Sequence, residues 1–118
     1  MKIAISATGE TNEALLDMRF GRCRYFQIYD TENGETVSLE NKGMTSSGGA
    51  GIAASNQLVD EKVDVIITGS LGPNAFEIIE KAGIKAYKCG NIAISSVLDK
   101  YKNNELSEIN TAGASHQG

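Results

Sequence analysis

The 118-residue sequence has no tryptophan, one proline, one histidine and two cysteines. Two cysteines, Cys23 and Cys89, lie far apart and cannot build a disulfide framework, and no Cys-x-x-Cys pairing of the zinc or redox type is present. A lone proline excludes a proline-rich linker, and 13 glycines point to tight turns between regular elements. No apolar run approaches the roughly 20 residues of a membrane span. The start, Met1 to Ala7, has one positive charge and too short an apolar stretch for a secretory signal, so the cytoplasm is the expected location. Basic residues number 11 against 15 acidic ones, a net charge of −4, which argues against nucleic acid as a main partner and leaves no membrane role in view. The only histidine is His116, near the C-terminus, and the first strand carries no acid. Neither a Ser-His-Asp arrangement nor the carboxylate set of a metal-dependent nuclease is evident, so an enzyme is not expected.

The length suits one domain. A single α/β domain is expected over residues 1–104, with 105–118 as a flexible tail. Lys2 to Ala7 alternates like a strand. Tyr25 to Asp30 and Glu35 to Glu40 flank Asn33-Gly34, a hairpin signal. Ser46 to Gly51 leads into a helix ending near Glu61, with Ala50, Ala53, Ala54 and Leu58 on its small-residue face. Val63 to Ile67 reads as a strand buried on both sides. Pro73 suits the first position of a second helix, whose expected buried face is Ala75, Phe76, Ile78, Ile79 and Ala82, with Gly83 as its stop. Ile84 to Lys88 is a fifth strand, followed by a helix through Tyr101 with Ile92, Val97, Leu98 and Tyr101 facing inward.

The series β-β-β-α-β-α-β-α predicts a mixed five-stranded sheet with helices on both faces, the second strand antiparallel to the rest. The C-terminal ends of the first, third, fourth and fifth strands then share one rim, where open α/β sheets bind ligands. Both cysteines fall there. Arg19, Arg22 and Arg24 surround Cys23, and neighbouring guanidinium groups favour a thiolate; a small buried hydrophobe is the simpler reading of the same residue. Cys89 reads either as a ligand or as a packed strand end. His116 could act as a third ligand from the tail. Ser47, Gly48, Gly49 and Gly51 offer backbone N–H groups before a helix, a geometry that cradles anions, although no P-loop lysine follows. Gly69 and Gly72 open the next helix at the same rim.

The Met1-Lys2-Ile3-Ala4-Ile5 start, Phe20-Gly21-Arg22 before Tyr25-Phe26, Gly48 to Gly51, Gly69-Ser70-Leu71-Gly72-Pro73-Asn74-Ala75 and Ala82 to Tyr87 together resemble the nitrogenase iron–molybdenum cofactor biosynthesis family, from Met1 to about Tyr101. The resemblance implies a ribonuclease-H-like α/β/α sandwich of sheet order 3-2-1-4-5. It also implies a non-catalytic binding or carrier role for an iron–sulfur or iron–molybdenum-type cluster, with donor and acceptor proteins as partners. Several relatives carry a histidine where this chain has Arg19, or in the loop holding Met44 and Ser46, and some have histidine-rich tails where only His116 stands. Ligation therefore shifts toward Cys23 and Cys89, and a homodimer would bring four thiolates to one cluster. The alternative is a phosphate-, nucleotide- or protein-binding module using the same glycine-rich rim.

Overall fold

The computed structural model of the protein describes residues 1–113. Its strands are β1 (Lys2–Ala7), β2 (Tyr25–Asp30), β3 (Thr36–Glu40), β4 (Val65–Thr68), β5 (Lys85–Lys88) and β6 (Ser107–Glu108). Its helices are α1 (Ala50–Asp60), α2 (Pro73–Lys81) and α3 (Ile94–Lys102), and a 3₁₀ turn spans Lys42–Thr45. The sheet order is β3-β2-β1-β4-β5-β6. β1 pairs in parallel with β4 and β4 with β5, while β2 runs antiparallel to both β1 and β3.

The expected mixed sheet is present, with one correction: it has six strands, not five. Ser107–Glu108, within the stretch assigned to a tail, pairs antiparallel with Tyr87 and Lys88. The Ile109 N–H donates to Ala86 O at 2.7 Å and the Gly113 N–H to Leu71 O at 2.6 Å. The reason lies in the partner, not in the segment. Ser107 and Glu108 are exposed and show no alternating pattern, so only the free edge of β5 makes them a strand.

Strand alternation divides the core into two layers. Ala4, Phe26, Ile28, Ile66 and Ala86 face α1 and α2, meeting Ala54, Leu58, Ala75 and Ile79. Ile3, Ile5, Ala7, Val65 and Ile67 face the other way, toward Ile94 and Val97 of α3. The result is an α/β/α sandwich. Pro73 occupies the first turn of α2, as expected. The helical faces are narrower than the sequence suggests: Phe76 and Ile78 are half-buried and Ala82 is exposed, because α2 sits over the β4–β5 side and its flank faces solvent. Gln57 is buried on α1 although polar. Its carbonyl accepts from the Lys42 N–H at 2.9 Å and its amide donates to Glu40 O at 2.8 Å, so burial leaves neither end unpaired.

Two glycines let chain segments touch at the strand ends. A Cβ on Gly69 would lie 2.6 Å from Met18 O and 2.8 Å from Met18 Cα, and one on Gly43 would lie 2.6 Å from Gly21 O. Residues 18–21 are thereby pressed onto both the β4–α2 turn and the 3₁₀ turn. Gly69→Ala should cost about 1–3 kcal/mol, because backbone must shift to admit the methyl. A lower urea midpoint at unchanged slope is the expected result; a midpoint equal to the parent's would mean the contact yields freely.

Candidate functional site

The parallel pairing of β1, β4 and β5, and of β1 with β3 through β2, brings four segments to one rim: residues 8–24, 41–51, 68–73 and 89–93. On the α3 side this rim is sealed. The Ile94 and Ser95 N–H groups donate to Ala14 O and Asn12 O at 2.9 and 3.2 Å, and the Asn91 amide donates to Leu16 O at 3.1 Å. The N-terminus of α3 is thus capped by the chain itself.

The other side is open. α1 starts from Gly49, whose φ of 67° is left-handed, with no side-chain cap. Among the described residues, no acceptor meets the N–H groups of Ser47, Gly48, Gly49, Ala50, Gly51 or Ile52. The Ser46 hydroxyl turns back on Gly48 O and helps to shape the loop. α2 begins at Gly72 and Pro73, also without a side-chain cap. α1 and α2 lie on the same sheet face, so two positive helix ends share one side of the rim.

The buried side chain of Asn41 locks this side together. Its amide donates to Gly21 O at 3.1 Å and Cys23 O at 2.9 Å, with a longer contact of 3.4 Å to Phe20 O. Its carbonyl accepts from the Gly43 N–H at 2.9 Å. Arg22 works from outside: one Nη1 donates to Ser46 O at 3.0 Å and Gly43 O at 3.3 Å, which ties the guanidinium to the base of the glycine-rich loop. Arg19 is exposed and pairs with Asp17 at 3.4 Å. Arg24 stands 5.5 Å over the Tyr25 ring.

Both cysteines are buried, in keeping with the packing reading of each and not with an arginine-activated thiolate at Cys23. Cys23 is fully buried in the α1–α2 layer beside Phe20 and Phe26. Its thiol is 3.5 Å from both Phe20 O and the Asn41 amide. Burial, and secondarily the Asp17 charge, pushes it up to about 12. The neighbouring guanidinium groups do not make it a thiolate, because all three arginines point outward to other partners. Cys89 is buried in the opposite, α3-side layer, and burial raises its pKa as well. β2 and β5 are three places apart in the sheet, about 14 Å at the usual strand spacing. The two sulfurs therefore lie on opposite faces of the sheet and share no site. No group of three or more His, Cys, Asp or Glu among the described residues could hold a metal ion. His116 lies outside the described residues.

Of the other expected site residues, Ser47, Gly48, Gly49 and Gly51 converge on the open loop with Arg22. Gly72 begins α2 on the same face. Gly69 is buried and its missing side chain serves the contact with Met18. The sequence did not single out Asn41, nor the apolar border of the rim. Leu15, Met18, Met44 and Ile52 are each about two-fifths exposed, and all four flank these loops. Exposure of this kind depends on tertiary placement, and only the strand-end position of Asn41 hinted at its role.

The chain is thus an α/β/α sandwich with a mixed sheet and two helix N-termini without side-chain caps on one side of its rim. Residues 1–104 match the family model described as dinitrogenase iron–molybdenum cofactor, so the chain belongs to that family. It is similar to the apo form of the orange protein from Desulfovibrio gigas, with a TM-score of 0.89, 28% identity and 95% of each chain covered. It is also similar to a putative NifB protein from Thermotoga, with a TM-score of 0.83, 30% identity, and 95% of this chain and 96% of that one covered. An uncharacterized protein of Methanocaldococcus jannaschii is 28% identical over 112 residues, 92% of each chain.

Two outcomes follow from the geometry. Asn41→Ala should cost about 2–4 kcal/mol in urea unfolding, because it strands buried carbonyls and the Gly43 N–H together. The Cys23 thiol should make the fold sensitive to alkali. Its pKa is about 12 in the folded chain against an ordinary 9.0, so its contribution is full below pH 9 and is lost as pH rises toward about 12. Stability measured above pH 9 should fall less steeply in Cys23→Ala than in the parent; parallel curves would disprove burial of the thiol.

Proposed function

We propose that this protein is a non-catalytic, cytoplasmic binding or carrier protein for an iron–sulfur or iron–molybdenum-type cluster, received from and passed to partner proteins. The observation that carries this reading is the uninterrupted run of N–H groups from Ser47 to Ile52 at the start of α1, without acceptors among the described residues and braced by Arg22. Backbone N–H groups and a positive helix end suit a preassembled anionic cargo. The family match over residues 1–104 covers this loop and the whole rim. The exposed border of Leu15, Met18, Met44 and Ile52 suits a rim that meets a donor or acceptor protein.

The donor set bears on how the cargo is held. Cys23 and Cys89 are buried, protonated and on opposite sheet faces, so direct ligation by both requires unpacking two core layers. The reading favoured by the geometry is retention by charge and hydrogen bonds, with Arg19, Arg22, Ser47, Gly48, Gly49, Gly51 and Gly72 as the contributing residues. Arg24 stands beside them over Tyr25. Gly69 contributes by letting the loops meet. His116, which lies outside the described residues, stays in this reading only as the further ligand the sequence suggested.

Anaerobic reconstitution followed by iron and acid-labile sulfide analysis tests this. The parent should load, Cys23→Ala and Cys89→Ala should retain the cargo, and Gly48→Asp should lose most of it. Gly48 has open space around it, so the added carboxylate perturbs charge rather than packing. Loss in a cysteine variant that remains folded would restore thiolate ligation, and loss in His116→Ala would add the imidazole. A parent that never loads, yet is thermally stabilised by phosphate or ATP when metal-free, would pass the same cradle to a phosphate ligand.

A further inference from the structure

The two edges of the sheet are treated differently. β5 is covered by β6 and the chain that follows it. Among the described residues, β3 pairs only with β2, and it is the least buried of the five longer strands. Val37 on it is 55% exposed, the most of any large hydrophobic residue among those described. Open edges are commonly protected by lysine, proline or a bulge, and Thr36–Glu40 has none of these.

Hydrogen bonding shows which groups are free. The Asn41 N–H donates to Arg24 O, and the Asp30 N–H donates to Glu35 O. By the alternation of an antiparallel ladder, Val37 and Leu39 then bond to β2, while Thr36, Ser38 and Glu40 turn their backbone groups outward. Glu40 O is taken by the Gln57 amide, which leaves three N–H groups and two carbonyls at the edge. Val37 and Leu39, opposite Ile28 and Phe26, face the α1 side. There a groove of about 420 Å³ opens between β3, the 3₁₀ turn and α1, with Leu39 and Met44 as apolar lining and Asp60 and Glu61 as carboxylates, while Glu40 at its edge belongs to the opposite face of the strand. Lys42 is the one cation lining it. None of the three carboxylates is in an ion pair among the described residues.

We propose that the β3 edge is a docking site for a basic, extended segment of a partner protein. Such a segment adds a strand outside β3 through Thr36, Ser38 and Glu40, sets an apolar side chain against Val37, and lays cationic ones along Glu40, Asp60 and Glu61. Charge decides between occupants. A second copy would add a second set of Glu32, Glu35 and Glu40 to an edge already rich in carboxylates, whereas a basic strand meets unpaired carboxylates. The groove shares Met44 with the border of the rim, but the proposal does not rest on the cluster reading.

The test uses metal-free protein and a blocked hexapeptide of lysine with one central valine, with a glutamate peptide of the same pattern as control. The lysine peptide should shift the amide resonances of Thr36, Ser38 and Glu40, and bind about ten-fold more weakly in high salt. Thr36→Pro should abolish the shifts at Ser38 and Glu40 while leaving the thermal midpoint near the parent's, since the first residue of an edge strand with an outward N–H tolerates proline. Absence of shifts, equal binding of the glutamate peptide, or binding that survives Thr36→Pro each overturns the proposal. So does a parent dimer that Thr36→Pro converts to monomer, which would assign the edge to a second copy.

Discussion

The Asn41 amide holds residues 20–23 and the 41–43 turn at a fixed separation, and the rest of the rim is arranged around that grip. With three backbone carbonyls on its donors and the Gly43 N–H on its acceptor, the side chain leaves those segments little freedom to part. Gly43 and Gly69 complete the constraint by letting backbone meet backbone without a Cβ between them. Once residues 18–23 are held in this way, Cys23 is directed into the core while Arg22 reaches the loop from outside. The same grip that buries the thiol presents the guanidinium group.

This arrangement moves the chemistry of the rim from side-chain sulfur to backbone nitrogen. A thiol buried against Phe20 and Phe26 is costly to ionise, and a second thiol on the far face of the sheet cannot join it. The N–H groups from Ser47 to Ile52 require no ionisation and stay polarised at any pH compatible with folding. Such groups are not selective among compact anions, so in the proposed function selectivity falls to shape and to the apolar border of Leu15, Met18, Met44 and Ile52.

The sheet is asymmetric in the same functional sense. Its α3 face is closed at the rim by the chain's own carbonyls, its β5 edge is covered by β6, and its openings are the α1–α2 rim and the β3 edge. The two openings adjoin the two ends of the 3₁₀ turn and the helix that follows it. Met44 belongs to both, as an exposed border residue of the rim and as lining of the groove beside β3.

Local signals along the chain were enough for the order and direction of the five longer strands and the three helices. Asn33-Gly34 marked the hairpin, the branched run at Val63 to Ile67 marked a strand covered on both faces, and Pro73 marked the start of a helix. These are local signals, set by allowed backbone angles and by the spacing of apolar residues. They also sufficed to bring the four loops to one rim, because strand direction follows from the connections. Tertiary structure alone decided the rest. Ser107 and Glu108 became a strand only because β5 offered a free edge. Cys23 lost the influence of arginines one to four residues away because proximity in sequence does not fix distance or burial. Asn41 and Gln57, ordinary polar residues when read in order, became pegs because buried backbone groups from distant segments had to be satisfied, and only the folded chain specifies which groups those are.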